Sequence, residues 1–227
     1  MDDADFDGLT RFRPRDLATR AAAMIGPSRR LLGLTGPPGA GKSTLATALI
    51  AAIGPTRAAL VGMDGFHLAD GELARLSRTE RKGAPDTFDR AGFVAALRRL
   101  REAQEVVYLP RFDRDLEAAI AGSQAVERSI PLLVVEGNYL LNWPEVAELL
   151  DAVWYLDPDP SRRVASLIER HVAFGRSRLA AREWVLGSDE ANAALVAADR
   201  DRADLVVGWV AAADDDDRLT ATDAAGA

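Results

Sequence analysis

Short apolar runs punctuated by polar turns alternate along this chain with longer segments whose apolar residues recur at helical spacing. Residues 31–34, 58–63, 106–109, 130–135, 152–156 and 205–207 read as buried strands, the fourth being the clearest, and Pro110 is expected to stop the third. Residues 16–25 carry Leu17, Ala21, Met24 and Ile25 on one stripe and end at Gly26-Pro27, the pattern of an amphipathic helix. Residues 43–52 are rich in Ala and Leu, Asp89 caps a helix running through Phe93, Leu97 and Leu100, and residues 161–174 form an arginine-rich helix. Further helical segments follow through Glu183 and Asn192, whereas residues 69–86 and 111–129 are polar and read as irregular. Strands alternating with helices predict an α/β fold, a three-layer α/β/α sandwich around a mostly parallel sheet. In such sheets ligands bind beyond the carboxyl ends of the strands, and Gly36, Asp64, Pro110 and Glu136 all stand at those ends.

The first of these ends carries the most specific signal. Residues 36–44 read Gly-Pro-Pro-Gly-Ala-Gly-Lys-Ser-Thr, between a predicted strand and a predicted helix, which meets the phosphate-binding pattern G-x-x-x-x-G-K-[ST] in its required context. Glycines let the backbone curl so that its N–H groups face a phosphate at the positive end of the helix. Gly36, Pro38, Gly39, Ala40, Gly41, Lys42, Ser43 and Thr44 are therefore the expected contacts of a nucleoside triphosphate. Lys42 would reach the β- and γ-phosphates and the Ser43 hydroxyl would sit on Mg²⁺. Of 28 basic residues only Lys42 and Lys82 are lysines, so an arginine-preferring chain still writes lysine where a slim point charge is wanted.

Composition narrows the remaining classes. A length of 227 residues suits one α/β domain with a lid or small insertion. The net charge of −7 argues against non-specific nucleic-acid binding. Cysteine is absent, which removes disulfide frameworks and thiolate zinc sites. The N-terminus is acidic where a signal peptide would be basic, and no apolar stretch reaches membrane-span length, so a cytoplasmic protein with no membrane partner is expected.

The other strand ends supply candidate chemistry. Asp64 opens Asp64-Gly65-Phe66-His67-Leu68, with Gly65 expected to allow a sharp turn. A carboxylate beside a γ-phosphate can accept the proton of an attacking hydroxyl; the alternative is a turn aspartate or a water-mediated Mg²⁺ ligand. Glu136 could hold Mg²⁺ through a bound water or contact substrate hydroxyls. Arg162, Arg163, Arg170 and Arg176 lie in or after one helix, and Arg170 and Arg176 are the candidates to cover the transferring phosphate, against the alternative of a solvated face. His67, three residues from Asp64, is a candidate substrate contact, while His171 reads as a helix-surface residue. Trp143, Trp154, Trp184 and Trp209 are expected in the core or at its rim.

Several of these motifs occur in a familiar order. The P-loop, residues 60–66 (Leu-Val-Gly-Met-Asp-Gly-Phe), residues 82–89 (Lys-Gly-Ala-Pro-Asp-Thr-Phe-Asp) and residues 134–137 (Val-Val-Glu-Gly) together resemble the phosphoribulokinase/uridine kinase family. The chain is similar to bacterial pantothenate kinase in the D-G-F and K-G-x-P-x-[ST]-[FY]-D elements. It is more similar still to bacterial proteins labelled fructose transport system kinases, through residues 63–68, 110–114, 136–141 and 203–206. The resemblance implies ATP- and Mg²⁺-dependent phosphoryl transfer to a hydroxyl of a small metabolite. Asp64 would then be the base, with Arg170 and Arg176 in the lid. His67, Phe88, Arg111, Arg114, Glu136 and Tyr139 would belong to the acceptor side, with Ser43 and Glu136 at the metal. Two departures bear on the acceptor. Asp64-Gly65-Phe66-His67 stands where uridine kinases carry Asp-Ser-Phe-Tyr, and Phe112-Asp113-Arg114 stands where pantothenate kinase carries Tyr-Ser-His, which favours a sugar such as fructose or a sugar-like polyol, with a nucleoside- or pantothenate-like acceptor as the alternative.

The expected organisation is an N-terminal helical extension over residues 1–29, a P-loop kinase domain over 30–210 with its lid at about 162–180, and an acidic, Ala-rich disordered tail over 211–227. Related kinases often pair, so a homodimer is a further expectation. The competing class is a regulatory ATPase or nucleotide switch; the guanine-reading Asn/Thr-Lys-x-Asp element of a GTPase switch is absent.

Overall fold

Five parallel strands are built from the most apolar runs of the chain, because a strand covered by helices on both faces has no side left for polar residues. The computed structural model describes residues 14–208. The strands are β1 (Arg30–Thr35), β2 (Ala58–Gly62), β5 (Leu132–Glu136), β6 (Ala152–Leu156) and β7 (Leu205–Val207), in the spatial order β2-β5-β1-β6-β7. Along β5 the side chains alternate: Leu132 and Val134 pack into one core, Leu133 and Val135 into the other, all fully buried. The first core lies under α1 (Pro14–Ala22) and α2 (Lys42–Ile53), through Leu17, Ala21, Leu45 and Leu49. The second lies under α4 (Arg90–Arg101), through Phe93, Leu97 and Leu100. Each fully buried Leu, Val or Phe contributes roughly 1.5–3 kcal/mol of burial free energy. The three-layer expectation therefore holds, and Asp89 caps α4 as predicted, accepting from the Gly92 N–H at 2.8 Å.

Four expectations change. Residues 111–129 are not an irregular loop: β3 (Val107–Asp113) and β4 (Ala118–Val126) form an antiparallel hairpin. Pro110 does not end β3 but sits where the register shifts between Leu109 and Arg111, a place that has no use for its missing N–H. Residues 69–86 hold a short helix, α3 (Asp70–Arg75), and two 3₁₀ turns. Helix α1 stops at Ala22, short of Ile25. Trp143 and Trp154 are buried as expected; Trp209 and the 211–227 tail lie outside the described residues. Among the described residues no helix is long and apolar enough to cross a membrane.

The hairpin closes down on the turn after β2, and this contact explains Gly65. Its backbone does not use the left-handed region; rather, a Cβ there would stand 2.4 Å from the Pro110 carbonyl oxygen. Gly65→Ala must push β3 away from the Asp64 turn, and the expected loss is about 1–3 kcal/mol in a denaturant melt, the usual range for overpacking. An unchanged midpoint would show that the contact is slack.

Candidate active site

The sheet register brings three strand ends together. Glu136 pairs with Leu34 on one side and Gly62 on the other, so the P-loop after β1, the Asp64 turn after β2 and Glu136 itself occupy one carboxyl edge on adjacent strands. The P-loop leaves β1 through Gly36, Gly39 and Gly41, whose φ values of 146°, 79° and 83° lie where side chains are strained. Gly36 is also barred to larger residues by the Leu156 carbonyl, 2.5 Å from a built Cβ. Lys42 opens α2, and its ammonium donates to the Gly36 and Pro37 carbonyls at 3.0 Å each. The Ser43 side chain lies beside Glu136 and helps to hold its pKa down.

Around this edge lies a cleft of about 620 Å³, of small-metabolite and nucleotide size. Pro38 to Thr44 form one wall, Asp64, His67, Phe88, Phe112 and Arg114 another, and Arg170, His171 and Arg176 a third. Arg170 and His171 come from α6 (Pro160–Ala173), and Trp184 from α7 (Arg178–Trp184). Asp64 Oδ2 accepts from Arg114 at 3.1 Å, both side chains being partly open to water. His67 Nδ1 donates to the Asp64 carbonyl at 2.9 Å, which fixes its tautomer and leaves Nε2 as an acceptor. Its ring packs against Phe88 and Phe112, with centroids 4.0 and 4.9 Å away, and this burial lowers its pKa.

Burial dominates the electrostatics of the inner site. Lys42 is held down to about 8, chiefly by desolvation, while Glu136 and Asp64 pull it up. Glu136 is pushed up, first by burial and then by the Asp64 charge, against the pull of Lys42 and Ser43. Arg170 has an open surface yet is crowded by the concave walls, and this desolvation with Arg114 nearby lowers its pKa. Perturbed groups of both signs converging in one cleft mark a functional site.

A pH test follows from Glu136. Its folded pKa lies above its unfolded one, so the native state holds the extra proton and its stabilising contribution is complete below the ordinary carboxylate range. That contribution is lost as pH rises through the elevated folded pKa. Glu136→Gln should flatten the fall in thermal stability across this window; identical melting profiles for variant and wild type would place the carboxyl in water.

Several sequence expectations need revision in place. Tyr139 is fully buried, and its hydroxyl donates to the Gly83 carbonyl at 2.6 Å, so it props the 82–88 segment from behind. Arg111 is exposed on β3 and does not line the cleft, whereas its neighbour Phe112 does. His171 is not a surface residue: it lines the cleft, with Nε2 3.0 Å from Asp189 Oδ2. Arg163 is buried, donating to the Pro38 carbonyl at 3.2 Å and to Glu190, and so braces the P-loop. Arg176 stacks on Trp184 at 4.2 Å. Asp189, Asn192 and Lys82 also line the cleft, beyond the residues expected from the sequence. Asp189 ends a π-helical turn (Val185–Asp189), a feature frequent at functional sites but without a sequence signal. Lys82 was legible, as the second of only two lysines.

A parallel sheet with a P-loop after β1, acids at the ends of β5 and β2 and a basic helix beside the cleft defines a P-loop kinase. The chain belongs to the phosphoribulokinase/uridine kinase family, which matches residues 31–214. The crystal structure of a provisionally named fructose transport system kinase from Silicibacter sp. TM1040 is 35% identical, with a TM-score of 0.78, covering 88% of this chain and 100% of that one. A provisionally named uridine kinase of Schizosaccharomyces pombe is 33% identical over 174 residues, 70% of this chain and 74% of the relative. The uncharacterised protein YggC of Escherichia coli is 32% identical over 196 residues, 82% of this chain and 81% of its own length. The chain is thus a small-molecule kinase, and its family implies the use of ATP.

Proposed function

We propose that the protein transfers the γ-phosphoryl group of ATP to a hydroxyl of a small, sugar-like metabolite, with Asp64 as the general base. The observation that supports this most is the register itself, which sets P-loop, Asp64 and Glu136 side by side around one cleft. The acceptor oxygen attacks the γ-phosphorus, the bond to the bridging oxygen of ADP breaks, and the hydroxyl proton passes to the Asp64 carboxylate. Little covalent work is asked of the protein; positioning and charge stabilisation carry the step.

The residues present fit the nucleotide and its metal. Left-handed glycines at the N-terminus of α2 open a cradle of backbone donors, and Lys42 supplies the point charge. Ser43 and Glu136 are hard oxygen donors, and no cluster of three His, Cys or acidic ligands exists among the described residues. That sparse set suits Mg²⁺, which keeps waters and phosphate oxygens as its other ligands. When bound, Mg²⁺ would neutralise charge on the β- and γ-phosphates. Arg170 and Arg176, on and just after α6, would cover the transferring group as residues of about 162–180 close as a lid. His67, Phe88 and Arg114 face the acceptor. We further infer a cytoplasmic enzyme and place a homodimer among the arrangements to test.

The test is ADP release from Mg-ATP over hexoses, pentoses, polyols, nucleosides, pantothenate and glycerate, with Asp64→Asn as the blank. A rate that rises with one acceptor class and vanishes in the blank is expected. Flat, acceptor-independent hydrolysis would overturn the proposal in favour of a regulatory ATPase.

A further inference from the structure

Two cations on the acceptor side of the cleft are more than a neutral hydroxyl acceptor needs. Lys42 belongs to the P-loop, and Arg170 and Arg176 come from the α6 side. Lys82 and Arg114 come instead from the acceptor side, and they flank a single ring: Lys82 Nζ lies 5.7 Å and Arg114 Cζ 5.6 Å from the centroid of Phe112. Phe112 in turn packs on His67, so both charges border the pocket that would hold the acceptor. A chain that writes arginine at almost every basic position places its only two lysines in this one cleft.

Their present partners are exchangeable. Lys82 contacts Asp70 at 2.8 Å and the Glu117 carbonyl at 2.8 Å, and the Asp70 side chain is largely open to water. The carboxylate paired with Arg114 is Asp64, the proposed base. While Arg114 donates to Oδ2, that oxygen faces a guanidinium and not an acceptor hydroxyl. Half-exposed pairs of this kind contribute little and exchange readily. Once an acceptor fills the cleft and excludes water, a guanidinium deprived of Asp64 needs another anion, because a buried unpaired charge is costly.

We propose that the acceptor carries an anionic group, a carboxylate or a phosphate monoester, besides the hydroxyl that is phosphorylated. Lys82 and Arg114 receive that group beside Phe112, and its arrival draws Arg114 off Asp64 and frees the base. This rests on the kinase reading with Asp64 as base, and it turns the sugar-like acceptor into a sugar acid or a sugar phosphate.

The experiment compares matched acceptors, glycerol with glycerate and fructose with fructose 6-phosphate, by kcat/KM for ADP release in wild type, Arg114→Gln and Lys82→Gln. The charged member of one pair should be preferred by at least about tenfold, and the pair that shows it separates carboxylate from phosphate. Arg114→Gln should cost that substrate roughly 10²-fold, the scale for removing one partner of a buried charge pair, and so erase its preference over the neutral partner. Preference for the neutral member, with turnover still dependent on Asp64, overturns the anionic subsite and leaves the kinase standing. A second arm needs no substrate: with Mg-AMP-PNP saturating the P-loop, inorganic phosphate is titrated calorimetrically. Saturable binding weakened at least about tenfold by Arg114→Gln is expected. No binding, or binding indifferent to both variants, overturns the subsite even if no acceptor in the panel turns over; that last outcome alone would count against the kinase reading.

Discussion

Asp64→Asn is expected to lower kcat by roughly 10²-fold or more while leaving the Kd for Mg-ATP within a few-fold, because proton removal by a positioned base is worth that much. The substitution keeps the shape of the side chain, so the turn from Met63 to Phe66 and the His67 contact to the backbone carbonyl of residue 64 should survive. Nucleotide affinity resides mainly in the P-loop and Lys42, at the end of β1, with β5 between it and β2. The expected signature is therefore a loss in kcat that nucleotide concentration does not rescue. Acceptor titrations with the variant, read by ADP release, make the check. A rate near that of wild type would reduce Asp64 to a turn residue and shift the search to Glu136, the other acid on this edge, whose raised pKa also suits it to hold a proton.

The parts of the site that could be read from the sequence are those whose chemistry demands a particular residue at a particular strand end. Gly36 to Thr44, Asp64 and Glu136 follow apolar runs long enough to identify as buried strands, and the register then does the rest. The β3–β4 hairpin was not legible for the opposite reason. Residues 118–126, Ala-Ala-Ile-Ala-Gly-Ser-Gln-Ala-Val, are small and mostly exposed, so no alternation announces a strand, and Pro110 reads as a stop unless the bulge is known. His171 and Asp189 meet only because the π-helical turn brings the chain back beneath α6, a tertiary event without a local pattern. Tyr139 was assigned to the acceptor by resemblance, yet its phenol reaches the Gly83 carbonyl; the pocket wall it supports is the 82–88 segment, in which Lys82 and Phe88 do face the cleft. Gly65 was identified correctly as a required glycine for the wrong reason, since close approach of Pro110, not a turn dihedral, excludes a side chain.

Lys42→Met should abolish turnover and weaken Mg-ATP binding by at least about tenfold, since a charge-assisted contact to the phosphates is lost. The same substitution should leave the nucleotide-free protein no less stable at neutral pH. Lys42 is 6% exposed, its ammonium donates to the Gly36 and Pro37 carbonyl oxygens, and its pKa of about 8 lies well below the ordinary lysine value. A base whose folded pKa is depressed carries its unfavourable buried charge in full below that pKa. The penalty fades as pH rises from about 8 toward the unfolded value of 10.5, and its size is on the order of 3 kcal/mol. Wild type should therefore gain stability relative to Lys42→Met across that window, and thermal melts at pH 7, 8.5 and 10 would show the two curves converging or crossing. A variant that binds ATP normally would remove the P-loop from the mechanism. One that loses binding and also melts far below wild type at pH 7 would mean that Lys42 holds the loop together, and the stored cost of its burial would not then be available for release when a triphosphate arrives.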